Sequence, residues 1–528
     1  MRVDETWRLR DSVALRPEAF GALAYDFSTR TLTFLKTPAL LDVVRRLGSS
    51  PTVGHALADA GVPPARSGAY MGALATLASS GLLGRRDDNM RERADRSAAA
   101  GTRSSSSSDT GRPTPPAARA TTGGQPPAVG SLVERFEYGL DAPICLTWEL
   151  TYACNLACVH CLSSSGRRDP DELSTVECKR LIDEFERMQI FYVNVGGGEP
   201  TVRSDFWDLL DYAVAHRVGV KFSTNGFRIT PERARQLAAT DYVDVQVSLD
   251  GATATVNDPI RGPGTYAAAL AALEHLATAG MRDVKLSVVC TRHNLGQLDA
   301  FKAIADRYGA QLRLTRLRPS GRGADVWDQL HPLPEQQREL YEWLLAHGDD
   351  VGTGDSFFHL SAYGRSLPGL NLCGAGRVVC LVDPVGDVYA CPFAIHDRFR
   401  AGNVRADGGF EAVWRTSSLF EDLRSPQTGG ACTRCSAFDA CRGGCMAAKF
   451  FTGLPLDGPD PECVKGKAQG ALATVDRATL PTASGDHSHR GGVRRQPVVV
   501  PLSRRPVDKA CDEHPLAASV GDRFGHPG

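Results

Sequence analysis

Between residues 143 and 317 one pattern recurs: a strand-length apolar run, then a helix-length amphipathic segment. The runs occupy residues 143–150, 191–195, 218–223, 242–248, 284–290 and 311–317. Together they read as near-continuous apolar runs, the mark of strands covered on both faces, as in a parallel sheet flanked by helices. Helical periodicity separates them at 204–216, 231–239, 265–279 and 295–308. A further helix opens at Ser174-Thr-Val-Glu177, a capping box in which side chains satisfy the first free backbone donors, with Leu181, Ile182, Phe185 and Met188 on one face. The fold class is α/β.

Directly after the first run stand Cys154, Cys158 and Cys161. Three thiolates on one loop can hold three irons of a 4Fe-4S cube and leave the fourth without a protein ligand. A zinc site instead closes a tetrahedron. No fourth cysteine follows at short range, and His160 is poorly placed to share an ion with its neighbour Cys161. The next three runs end in Gly196-Gly197-Gly198-Glu199-Pro200, Ser223-Thr224-Asn225-Gly226 and Ser248-Leu249-Asp250-Gly251. Each motif alone is ordinary turn chemistry. In this order after the cysteines they make the chain resemble the radical S-adenosylmethionine (SAM) superfamily.

That resemblance implies a partial (β/α)6 radical SAM barrel over residues 131–330, with chemistry at the C-terminal strand ends. It implies that Cys154, Cys158 and Cys161 hold the SAM cluster and that Gly196, Gly197, Gly198 and Glu199 receive the methionyl amino group. Ser223 and Asn225 are expected at the ribose, and Ser248 and Asp250 complete the cofactor-binding set. Val288 and Val289 pack near the adenine or simply in the core. Arg261-Gly262 looks like a loop over the site. Arg316 and Arg318 either meet a substrate carboxylate or form ordinary pairs.

Length and composition limit the rest. A chain of 528 residues is too long for one domain. Its net charge of −1 argues against general affinity for nucleic acid or anionic membrane. The polar N-terminus carries no secretory signal, and no apolar run reaches the length of a membrane span. A soluble, cytoplasmic protein is expected. The cysteines number 15, an odd count concentrated between Cys154 and Cys463, which points to metal binding rather than a disulfide framework. Cys145, Cys178 and Cys290 lie in strand or helix patterns and read as small buried hydrophobes.

Residues 1–88 predict a hairpin (21–27 with 31–36) followed by helices at 38–47, 52–60 and 65–80, a winged-helix-like unit. DNA binding is the plain reading of that fold, but Lys and Arg barely outnumber Asp and Glu there. The segment resembles instead the peptide-recognition domain of radical SAM enzymes, in which a leader peptide adds a strand to a sheet edge. Residues 89–130, with Ser104 to Ser108 and Pro113-Thr-Pro-Pro116, read as a disordered linker. Such a tether raises the effective concentration of a held peptide at the barrel.

Residues 331–466 carry eight cysteines: Cys373, Cys380, Cys391, Cys432, Cys435, Cys441, Cys445 and Cys463. The count suits two fully ligated 4Fe-4S clusters or two zinc sites. The spacing resembles the SPASM domain, the auxiliary-cluster module of peptide-modifying radical SAM enzymes. The resemblance implies one cluster on Cys373, Cys380, Cys391 and Cys445 and another on Cys432, Cys435, Cys441 and Cys463, both serving electron transfer. From residue 467 to 528 periodicity ends; His487, His489, Cys511 and His514 fall in what reads as a disordered tail.

The runs Thr147 to Cys161, Arg318 to Trp327 and Cys441 to Pro455 look like the mycofactocin radical SAM maturase family, and residues 1–88 like its precursor-binding chaperone, ordinarily a separate chain. The implied cofactors are three 4Fe-4S clusters and SAM. The implied reaction begins with reduction of SAM to a 5'-deoxyadenosyl radical, which takes a β-hydrogen from the C-terminal tyrosine of a ribosomally made peptide. Carbon dioxide and an electron then leave, and a second round joins the preceding valine to the tyrosine-derived carbon. Implied partners are that peptide, ending in Val-Tyr, and an electron donor such as a flavodoxin or ferredoxin. A sister reading is a thioether or other crosslinking peptide enzyme; a reading of another class is a zinc-stabilised winged-helix regulator.

Overall fold

The computed structural model describes residues 1–29, 31–86, 140–348, 350–353, 357–367, 373–425 and 429–481. The chain divides into two compact units between Phe136 and Glu137. The whole of the expected 89–130 linker, and Cys511 with the three tail histidines, lie outside the described residues.

The first unit runs β1 (Trp7–Leu9), β2 (Val13–Glu18), β3 (Gly21–Asp26), β4 (Thr31–Leu35), α1 (Pro38–Arg46), α2 (Val53–Asp59), α3 (Ser67–Ser79) and β5 (Leu83–Arg85). Strands β2, β3 and β4 form an antiparallel sheet and β1 pairs with β5. Thr37 and Thr52 cap α1 and α2, their side chains accepting from the Leu40 and His55 amides. Helix α1 turns Leu40, Leu41, Val43 and Val44 into a core shared with Ala22 and Ala24 of β3. The expected hairpin is β3–β4. Strand β2 escapes a pattern search because Val-Ala-Leu-Arg-Pro-Glu does not alternate; its Arg16 and Glu18 are buried as a pair, Nε donating to Oε1 at 2.7 Å.

In the second unit the six strands form as expected: β6 (Cys145–Thr151), β7 (Tyr192–Gly197), β8 (Gly219–Thr224), β9 (Val243–Ser248), β10 (Val284–Cys290) and β11 (Gln311–Arg316). All are parallel and adjacent in chain order. The helices between them are α4 (Thr175–Arg187), α5 (Phe206–Ala215), α6 (Pro231–Ala238), α7 (Ala254–Arg261), α8 (Thr265–Thr278) and α9 (Leu298–Arg307), with α10 (Pro334–His347) after β11. Strand β12 (Gly352–Thr353) extends the sheet beyond β11, and β13 (Val379–Val382) adds parallel to β6. An antiparallel pair, β14 (Asp387–Tyr389) and β15 (Arg400–Asn403), completes it.

One face of this sheet packs under the helices. Leu146, Trp148 and Leu150 of β6 join Val193, Val195, Val220 and Phe222 in the core, and Phe185 of α4 meets the Trp148 and Phe410 rings edge-on at 5.8 and 5.5 Å. The alternate residues, Asn194, Lys221, Asp244, Lys285 and Arg313 among them, face the opposite way. Lys221 of β8 interacts with Cys145 of β6 and Arg313 of β11, so the sheet curls and encloses these side chains.

The tail departs from expectation at its start. The described residues run past 466 to 481, with a helical turn at Gln469–Leu472. Val475 and Leu480 close over Gly453, where a Cβ would come within 2.8 Å of Val475, and Arg477 pairs with Asp328.

Candidate functional site

The loop after β6 is bound to the sheet at both ends. Cys154 N donates to Gly166 O and Gly166 N to Tyr152 O, closing it into a lobe that carries Cys154, Cys158 and Cys161. Two distant segments hold the lobe. Val159 N donates to Ile260 O in α7. From the turn after β11, Arg322 donates to Cys158 O at 2.8 Å and Ser165 O at 2.9 Å, while its amide donates to Cys161 O. Gly321 permits this approach: a Cβ there would lie 2.4 Å from Leu162 O. The Gly-Arg-Gly stretch is thus a clamp on the cysteine loop, a role its sequence does not announce.

The three thiols differ electrostatically. Burial pushes Cys154 up to about 12 and raises Cys158. Burial acts the same way on Cys161, but the Arg322 guanidinium and the Ser163 hydroxyl outweigh it and leave that thiol lowered. Iron binding needs thiolates, and Arg322 favours one.

The strand-end motifs converge on this loop. Gly198 N donates to Thr151 O and Glu199 N to Ala153 O. A Cβ on Gly198 would stand 2.0 Å from Ala153 O, so only glycine allows β7 and the loop this contact. A Cβ on Gly196, in contrast, would meet nothing within 4 Å. A cradle left open beside three thiols fits a cofactor lying over the strand ends. Glu199 is buried, with Oε1 accepting from the Thr201 and Thr224 hydroxyls and Oε2 from the Asn225 amide at 2.7 Å. Burial raises its pKa against those donors, and a bound ammonium would favour the carboxylate. Asn225 Nδ2 reaches Asn155 Oδ1 between the cysteines, at 2.8 Å. The Ser223 hydroxyl accepts from Gln246 at 3.0 Å, and Ser248 stands at the end of β9.

Asp250 takes a different part from the one expected of it. It is fully buried, and its carboxylate is spent on protein: Oδ2 meets His160 Nε2 at 2.8 Å and Arg261 Nη1 at 2.6 Å, while Oδ1 accepts from the Val289 amide. Burial alone would raise it, yet His160 and Arg261 hold it well below the carboxylate range. It ties the cysteine loop and α7 to β9 and β10. His160 is committed to that tie rather than to a metal. Arg316 is likewise engaged, forking onto Asp460 and pairing with Glu462. Arg318 stacks its guanidinium 4.0 Å from the Phe393 ring centroid.

Cys432, Cys435, Cys441 and Cys463 line one pocket. Burial lifts Cys432 to about 11, opposed by Lys449. Four thiols on one cavity suit a fully ligated cluster. Of the other four cysteines, Cys373 and Cys445 lie close enough to interact, and Cys380 and Cys391 are buried in the same core, Cys380 beside Cys145. Asp460 joins the two groups to the barrel: it accepts from the Cys445 amide at 2.7 Å and stands three residues from Cys463.

Comparison with known proteins follows the same segmentation. The Peptide chaperone MftB family profile matches residues 6–84, the Radical SAM superfamily profile 148–301 and an Iron-sulfur cluster-binding domain profile 373–436. The mycofactocin maturase MftC of Mycolicibacterium smegmatis is 69% identical over 390 residues, 74% of this chain and 98% of that one. Its namesake from Mycobacterium tuberculosis is 68% identical, with 74% and 99% covered. Among solved structures, Streptococcus suis SuiB bound to S-adenosylmethionine shares the fold, at TM-score 0.61 and 16% identity over 86% of this chain and 99% of SuiB. No helix among the described residues is long and apolar enough to cross a membrane.

Proposed function

The chain belongs to the mycofactocin maturase family, and we propose that it acts twice on the C-terminal Val-Tyr of a ribosomally made precursor peptide. The tyrosine first loses its carboxyl group as carbon dioxide together with two hydrogens. A carbon–carbon bond from the valine to the tyrosine-derived carbon then closes a lactam. The observation that carries this reading is the three-cysteine loop clamped against the open face of Gly196 and the buried Glu199.

Cys154, Cys158 and Cys161 would hold the SAM cluster, and the eight later cysteines two closed clusters in the division given above. With SAM bound, the open cluster supplies one-electron reduction and a hydrogen-atom acceptor; the closed clusters supply electron transfer. The residues around them do the positioning. Glu199 presents its carboxylate, fixed by four donors, to the methionyl ammonium, and Gly196 leaves room for the backbone of that ligand. Asn225 links the ribose end to the cysteine loop. The Arg322 clamp and the Asp250 tie keep the loop from moving when a ligand docks.

The first round balances internally. The peptide carboxylate gives up a hydrogen atom, carbon dioxide and one electron, and cleavage of SAM takes up one electron and that hydrogen. The second round consumes two electrons, one to cleave SAM and one, with a proton, to quench the newly bonded carbon, so it needs a one-electron donor such as a flavodoxin or ferredoxin. The first unit binds the leader, with β2 and β4, each paired on one side among the described residues, as the edges a peptide strand can extend.

The test is anaerobic incubation of the reconstituted full chain with SAM, a reductant and a precursor ending in Val-Tyr. The expected product has lost one carbon dioxide and two hydrogens, then isomerises without further mass change. Loss of two hydrogens alone would make the enzyme a crosslinker, and an unaltered peptide would overturn the reading.

A further inference from the structure

Inside the barrel, below the strand ends that hold the cysteine loop, three cationic side chains gather around the carboxyl group of Asp244. Lys285 donates to Asp244 Oδ2 at 3.0 Å, and the Tyr192 hydroxyl donates to the same oxygen. Arg313 reaches past β10 to Gln246 Oε1 at 3.0 Å. Lys221 has no such partner. Its ammonium makes no hydrogen bond among the described residues and lies 5.9 Å from the centroid of the Tyr192 ring. Burial, with Arg313 and Lys285 nearby, brings its pKa down to about 7. Glu149, the next carboxyl along the enclosed face of β6, has its pKa pushed well up by burial and by Asp383 nearby. Lys221 is half-buried, and Asp244 acts on it only without a hydrogen bond. An enclosed charge short of hydrogen-bond partners is costly, so this lumen has room for an anion.

We infer that Lys221, backed by Lys285 and Arg313, is the seat of the α-carboxylate of the peptide's C-terminal residue. The inference rests on the decarboxylation proposed above. That carboxylate must stay ionised until it departs, and in a low-dielectric lumen an ionised carboxylate needs a charged hydrogen-bond partner. Lys221 precedes Ser223 on β8 by two residues, about 7 Å of strand, which puts its ammonium within a side chain's reach of a residue lying under the strand ends. The device also releases its product: carbon dioxide is neutral, and the end it leaves behind carries no charge for the lysine to hold.

The experiment compares two peptides on the full-length reconstituted enzyme, one ending in the free carboxylate and one in the carboxamide, with 5'-deoxyadenosine formation as the readout. In the parent enzyme the carboxylate peptide should show the lower KM by about tenfold or more, the size of one charge-assisted hydrogen bond. Lys221→Met should erase that preference by raising KM for the carboxylate peptide alone, and Lys221→Arg should keep most of it. The melting temperature of Lys221→Met should not fall, since the ammonium removed makes no hydrogen bond among the described residues and lies beside two other cations. A parent enzyme indifferent to the terminus, or a Lys221→Met variant that keeps the full preference, overturns the inference. A parent enzyme that prefers the carboxylate but releases no carbon dioxide overturns the decarboxylation itself and is a distinguishable result.

Discussion

Arg316 offers the sharpest test of how the barrel and the auxiliary cysteines are joined. Its guanidinium lies at the end of β11, buried, with two nitrogens on Asp460 and the third on Glu462. Those carboxylates are as buried as the arginine, with side-chain exposures of 3% and 5%. Asp460 also receives the Cys445 amide, and Glu462 the Gln337 side chain at 3.1 Å. Arg316→Met keeps the volume and removes the charge, leaving two carboxylates in low dielectric without their cation. Breaking a buried pair from one side costs about 3 to 5 kcal/mol, a large share of a typical stability of about 5 to 15 kcal/mol. The damage should centre on the segment from Cys441 to Cys463, so iron bound at the auxiliary cysteines should be lost before the loop at Cys154 is affected. Urea unfolding under anaerobic conditions, with iron analysis and electron paramagnetic resonance, measures both effects. The triple variant Arg316→Met, Asp460→Asn, Glu462→Gln should recover most of the stability, because no charge is left stranded and the substituted side chain at position 460 keeps a carbonyl oxygen to accept from the Cys445 amide. If the single variant costs less than about 1 kcal/mol, or the triple variant is no better than the single, the cost does not come from stranded charge.

Three further outcomes are expected. Cys158→Ala should abolish SAM cleavage, whereas Cys435→Ala should spare cleavage more than product formation; equal loss of both would remove the auxiliary cysteines from electron transfer. Asp383 is raised to about 7 by burial and by Asp387, so unfolding releases a proton between about pH 4 and 7 and the parent loses stability as pH rises through that window. Asp383→Asn, which can still meet the Tyr152 hydroxyl, should therefore unfold at higher urea than the parent at pH 8, with the difference shrinking toward pH 4. Removing residues 1–88 should raise the peptide concentration needed for half-maximal turnover while sparing the saturated rate, as loss of a tethered binding module requires.

How much was legible beforehand differs by element. Strands β6 to β11 read correctly to within two residues at either end, since their outward side chains are apolar and their ends carry Gly, Asn and Ser. The runs looked apolar throughout because Val, Leu and Phe dominate them. The structure shows true alternation, with Asn194, Lys221, Asp244 and Lys285 turned inside, and nothing local distinguishes an enclosed lysine from a solvated one. Strands β1, β2 and β5 and the pair β14–β15 went unread: they are short, or as in Val13–Glu18 they bury a salt bridge where a pattern expects apolar residues.

The sequence by itself marked out the residues expected to carry the chemistry. The Cys154, Cys158, Cys161 spacing, the glycines of β7 and the eight later cysteines are statements about covalent neighbours, and short-range geometry makes them readable. Tertiary structure alone decided which groups remain available. Asp250 is spent on His160 and Arg261, Arg316 on residues more than 140 positions away, and Arg322 on the cysteine loop. Such partnerships depend on which charges the closing sheet buries together, where the penalty for an unpaired ion is largest, and a linear pattern carries no record of that.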